Sequence, residues 1–142
     1  MSFRRSIIII LTLYVLLFCA CDSGKMREYY EEKENYITAT GTITHIQYSG
    51  SESALYLGFS KDLDPSCDGT DFKIVGKNLS VIQKNPNYGT LEIGTEIQFV
   101  TAPKYWGDGY VMPIVAMTVN GEEWLSFDEG HNNFLKWFDE MH

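Results

Sequence analysis

The chain has little positive charge. Eleven lysines and arginines stand against nineteen aspartates and glutamates, for a formal charge of −8 at pH 7. That balance argues against nucleic acid, whose phosphates demand a basic surface. It also argues against adhesion to anionic lipid headgroups through charge. Cysteine is scarce, with Cys19, Cys21 and Cys67 alone. Catalytic signatures are missing too. There is no serine elbow, no zinc-binding HExxH and no glycine loop built to cradle phosphate. His45, His131 and His142 are widely separated and lack a helical i,i+4 partner histidine, so they read as structural. No internal repeat or low-complexity region breaks the chain. The one long uncharged run, residues 6–21, falls short of the roughly 18–20 residues of a membrane-spanning helix.

That run is nevertheless the most informative stretch. Arg4 and Arg5 precede the apolar sequence IIIILTLYVLLF, which ends in Phe18-Cys19-Ala20-Cys21. A basic start, a moderate apolar run and a small residue before a cleavage point form the secretory pattern. Phe18-Cys19-Ala20-Cys21 resembles the bacterial lipobox, with Phe18 where leucine is usual. The resemblance implies diacylglyceryl transfer to the Cys21 thiol, cleavage after Ala20 and acylation of the new amino terminus. Each buried CH₂ of such an anchor contributes about 0.8 kcal/mol, so two or three chains hold a protein on the membrane. Asp22, next in line, resembles the inner-membrane retention signal of enteric lipoproteins. A strained spanning anchor and an ordinary secreted protein are the alternatives.

Processing would change the arithmetic. Loss of residues 1–20 removes Arg4 and Arg5 and takes the formal charge from −8 to −10. Cys19 leaves, Cys21 carries lipid and Cys67 remains, which leaves no intramolecular disulfide and no cysteine zinc cluster. Cys67 reads as an inert loop thiol, against an intermolecular disulfide or a reactive group. Three segments follow: a signal peptide over 1–20, a lipidated N-terminus and flexible spacer over 21–35, and one β-barrel domain over 36–142. The spacer reading rests on its polar, mixed-charge composition; Tyr29 and Tyr30 could instead dock on the domain.

Within the domain, residues 36–48 are rich in β-branched side chains. Ile37, Ala39, Gly41 and Ile43 share one face, and His45 is expected to continue it. Ile46 and Tyr48 then take up the apolar character, and a phase change inside a long strand predicts a bulge. Strands follow at 53–59, 72–75, 96–102, 110–119 and 122–127. Asn78 is expected to cap a helix over 78–84 that buries Leu79 and Ile82. Pro113 demands an edge or a bulge. Asn120-Gly121 is a type I′ hairpin signal. Residues 132–141 predict an amphipathic helix that plugs the barrel or covers the outside of the strand over 110–119. The expected class is therefore mainly β: a small five- to six-stranded barrel with a short helix between strands 3 and 4 and a C-terminal helix. This order of elements resembles the OB-fold. A different small barrel or a β-sandwich is the alternative.

Two stretches are candidate sites. Tyr105, Trp106, Asp108 and Tyr110 crowd a glycine-rich hairpin tip, and aromatic faces beside carboxylates suit sugars, cationic groups or peptide strands. Asp62, Asp64 and Asp68 are weak candidates for a metal. Pro65 interrupts them and Cys67 stands where a calcium loop needs glycine, so a solvated turn is the plainer reading. No metal site, cofactor or catalytic residue is assigned. The expected function is a lipoprotein anchored by its lipid on the extracytoplasmic face of a bacterial cell membrane. It would display a non-enzymatic binding or interaction domain. The partners would be the membrane through the anchor, and an envelope protein or glycan, but no nucleic acid. An envelope-structural or assembly lipoprotein, with a free edge along the Pro113 strand, is the second reading. A small hydrolase is the third.

Overall fold

The computed structural model describes residues 23–60, 63, 67, 71–104 and 111–142. Six strands build it: β1 (Ile37–Ser49), β2 (Ala54–Phe59), β3 (Asp71–Val75), β4 (Glu96–Thr101), β5 (Met112–Val119) and β6 (Glu122–Leu125). The hydrogen-bonded order is β3-β2-β1-β4-β5-β6, and a parallel pairing of Phe72 with Met112 and Lys73 with Pro113 joins β3 to β5. Five strands thus close a ring, β1-β2-β3-β5-β4, and β6 hangs on β5 outside it. This is a small OB-like barrel, with helix α2 (Gly76–Gln83) between strands 3 and 4 and helix α3 (Phe127–Met141) after the last strand. Helix α1, over residues 23–31, precedes the barrel.

β1 is the strand that belongs to both halves of the ring. Ile37 to Thr42 pair with β4, and Ile43 to Ser49 pair with β2. The register shifts between Ile43 and His45, where the phase of the sequence changes. The bulge sends His45 to solvent and turns Ile46 toward the core. The expected inward position of His45 is therefore corrected. An extra residue in one strand reverses the face of everything beyond it.

The interior is filled mostly by strand residues, at period two except across the irregularities of β1 and β5. Ile43, Leu55, Leu57, Phe72, Ile74, Ile97, Phe99, Ile114 and Met117 are essentially inaccessible. Phe59 stacks on Phe99 at 4.6 Å, and Phe72 meets both rings edge-on at 5.3 and 5.0 Å. Offset and edge-on geometry suits rings with electron-rich faces and poor edges. α2 closes one end with Leu79 and Ile82. The Asn120-Gly121 turn has φ of 51° and 78°, the left-handed pair that a type I′ hairpin requires.

A second cluster lies outside the ring. Val115 of β5, Ala54 and Val75 point outward and are covered by Met26 and Tyr30 of α1 and Phe134 and Phe138 of α3. Helix α3 comes close because Gly130 has no side chain; a Cβ there would collide with the carbonyl oxygen of Val115. Residues 23–31, which composition suggests as a spacer, are thus a packed helix. Their Met26 and Tyr30, at 4% and 3% exposure, find an apolar surface that only the folded barrel offers.

Two further expectations change. Asn78 does not cap α2, which starts at Gly76 with no side-chain cap. Its amide is buried, donates to the Gly130 carbonyl at 2.8 Å and accepts from Asn133 at 3.1 Å. A buried amide is more costly to leave unpaired than a helix end exposed to water. β5 offers no free edge, since β4, β6 and β3 all bond to it. Pro113 is buried just beyond the last β4–β5 pair, so its missing N–H costs that ladder no bond, and it pairs with Lys73 of β3.

Candidate functional site

The site candidates read from the sequence, Tyr105, Trp106, Asp108, Tyr110, Asp62, Asp64, Asp68 and, as the expected lipidation residue, Cys21, lie outside the described residues. The structure does place the flanks of the aromatic tip, which falls between β4 and β5. On one side, the Lys104 ammonium lies over the Tyr29 ring of α1 at 5.4 Å. On the other, Val111 shares a small apolar recess with Met26, Phe134 and Trp137. Cys67 is half-buried against the barrel core. The histidines sit apart. His45 is exposed on β1. His131 is buried and its Nε2–H donates to the Tyr30 carbonyl at 2.8 Å. His142 stacks on Phe138 at 4.3 Å. Among the described residues no three His, Cys, Asp or Glu side chains converge as metal ligands.

A different feature emerges on the outer face of β2 and β3. There an open groove of about 690 Å³ is lined by Glu52, Tyr56, Lys73, Trp137, Met141 and His142. Tyr56 and Lys73 are direct cross-strand partners. Phe72 and Ile74 point into the barrel, so alternation turns Lys73 outward between them. α3 then lays Trp137 over it, with Nζ 5.0 Å from the ring centroid. The Tyr56 hydroxyl donates to Glu52, which stands in the turn before β2.

The surroundings of the groove set the charge of its polar groups. The hydrogen bond to Glu52, aided by burial, pushes the Tyr56 phenol up to about 12. At neutral pH it is a donor and not a base. Burial pulls the Lys73 ammonium below its ordinary value, against a weaker opposing pull from Glu52. The cation is partly desolvated, and the face of Trp137 compensates for part of the lost water.

No protein-family model matches the chain, and no curated protein matches it either.

The groove therefore rests on its own geometry. Sequence reading missed it. The only local signal is Lys73, a charge in the middle of the apolar run FKIV. Trp137 lies off the Phe134, Phe138 and Met141 stripe of α3, and that position gains meaning only once α3 crosses the β2–β3 face.

Proposed function

We propose that the chain is a bacterial lipoprotein, acylated at Cys21 and held on the extracytoplasmic face of the cell membrane, whose barrel is a non-enzymatic binding module. The observation that carries the binding reading is the Tyr56–Lys73–Trp137 groove, whose Lys73 and Trp137 also line the recess that holds Val111, the residue after the aromatic stretch. In OB-type barrels the face of strands 2 and 3 and the loops around it take up oligonucleotides or oligosaccharides; this is an analogy of fold. The acidic surface selects against nucleic acid. A glycan of the envelope, gripped by aromatic rings and by Lys73, Tyr56 and Glu52, fits what remains. The address rests on the basic start, the apolar run and Phe18-Cys19-Ala20-Cys21.

The test uses the full chain in detergent against a panel of neutral and acidic envelope glycans, with Trp106→Ala and Lys73→Gln beside the wild type. Loss of about tenfold in affinity for each, or about 1.4 kcal/mol, supports the reading. Equal binding by all three removes both residues from the site. Cys21→Ala should release the protein from membranes; continued attachment would mean a spanning helix instead.

A further inference from the structure

Helices α1 and α3 run antiparallel, and their contacts give the direction. Arg27 bonds Asp139 through Nε at 2.6 Å and Nη2 at 3.3 Å. Tyr30 meets Phe134, Phe138 and His131. Lys33 bonds Asp128 at 3.1 Å. As the number rises along α1 it falls along α3, so residue 23 lies beside the last turn of α3. That turn carries Met141, 63% exposed, and His142. Both line the Lys73–Trp137 groove.

Cys21 is close to this helix in the sequence. Cys21 lies two residues ahead of Ser23, and two residues of extended chain reach about 7 Å at most. A lipidated Cys21 sits at the headgroup level of the bilayer. It therefore holds the start of α1 within that reach, and α1 is itself fixed to the barrel by Met26 and Tyr30. A long flexible spacer would let the domain tumble; a docked helix does not.

We infer that the end of the domain where α1 begins and α3 finishes faces the headgroup layer of the bilayer, with the Lys73–Trp137 groove opening beside that layer. This rests on the acylation of Cys21 proposed above. The surface is suited to such a position. Met141 and the edge of Trp137 are apolar, and the exposed Lys25 can reach from an interface to water. Glu28 and Glu140 at the same end repel anionic lipid, so the anchor and not charge holds the face down. The binding module would thus take ligand at the membrane surface and not at a distance from it.

The test places a bimane label on the full acylated chain, in a Cys67→Ser background, at Met141→Cys or at Ile93→Cys. Ile93 is 65% exposed and precedes Gly94, which bonds β1 at Ile43, well along the strand from α1. The protein is reconstituted in vesicles of phosphatidylethanolamine and phosphatidylglycerol containing brominated acyl chains. The label at 141 should lose most of its fluorescence, and the label at 93 should keep it. Adding Tyr30→Ala with Met26→Ser, which frees α1, should abolish the difference while the protein still floats with the vesicles. Equal quenching at the two positions in a floating protein overturns the orientation and leaves the lipoprotein reading intact. A wild-type chain that does not float overturns both.

Discussion

The barrel interior and the helical layer outside it use the same hydrophobic driving force in different ways. The interior is almost purely apolar, and most of its members come from strands that alternate on either side of a bulge. The outer layer mixes aromatics with polar groups. Tyr36 donates to the Tyr30 carbonyl at 2.8 Å, and burial raises its phenol well above the ordinary tyrosine range. His131 stacks on Phe127 and bonds α1. Asn78 and Asn133 bridge α2 to α3. A polar network of this kind holds elements in one arrangement, because any other leaves buried groups unpaired. The interior supplies cohesion. The outer layer supplies position, and it is the layer that sets the groove and the start of α1.

If that division is right, the two layers should respond differently to damage. The largest effect is expected from Phe99→Ala, which empties the centre of the Phe59–Phe72–Phe99 cluster. It should cost about 3–5 kcal/mol and lower protection across all strands in hydrogen exchange. Gly130→Ala should follow, at about 1–3 kcal/mol, because the new methyl must push α3 away from the Val115 carbonyl. A denaturation midpoint unchanged by it would show that α3 has slack. Tyr30→Ala should loosen α1 while the amides of β1 and β4 keep their protection, as expected of a local opening. Uniform loss of protection would instead make the two layers one cooperative unit.

The smallest effect concerns the exposed ion pair between the helices. The hydrogen bond from Arg27 holds the Asp139 carboxyl below the usual carboxylate range. A group whose folded value is depressed contributes above its unfolded value, about 4 for aspartate, and loses that contribution as pH falls through the folded value. Wild type should therefore exceed Asp139→Asn slightly at neutral pH, and the two should converge in strong acid. Urea midpoints across that range measure it, and the gap should also shrink with salt.

How much of this was legible follows the same division. Leu55, Leu57 and Phe59 alternate in the chain and point together into the barrel. The bulge near His45 was visible as a change of phase, though not which side His45 would take, since that depends on which residue the partner strand leaves unpaired. Asn78 looked like a helix cap because capping is a local property, and the rival claim on its amide comes from Gly130 and Asn133, more than fifty residues away. Residues 23–31 looked like a spacer because composition reports only how much apolar surface a segment holds. Met26 and Tyr30 are few, but the folded barrel gives both a place.

The sequence by itself determined the class of the fold, since strand alternation, the Asn120-Gly121 turn and the helix between strands 3 and 4 are encoded by neighbours. It also carried the pattern at Phe18-Cys19-Ala20-Cys21 on which the address is proposed. Only the tertiary structure decided that α1 docks, that Gly130 seats α3 on β5, and that Trp137 covers Lys73 beside Tyr56. Each of those joins residues that are distant in the chain, and no local pattern records a partner that arrives only when the ring of strands has closed.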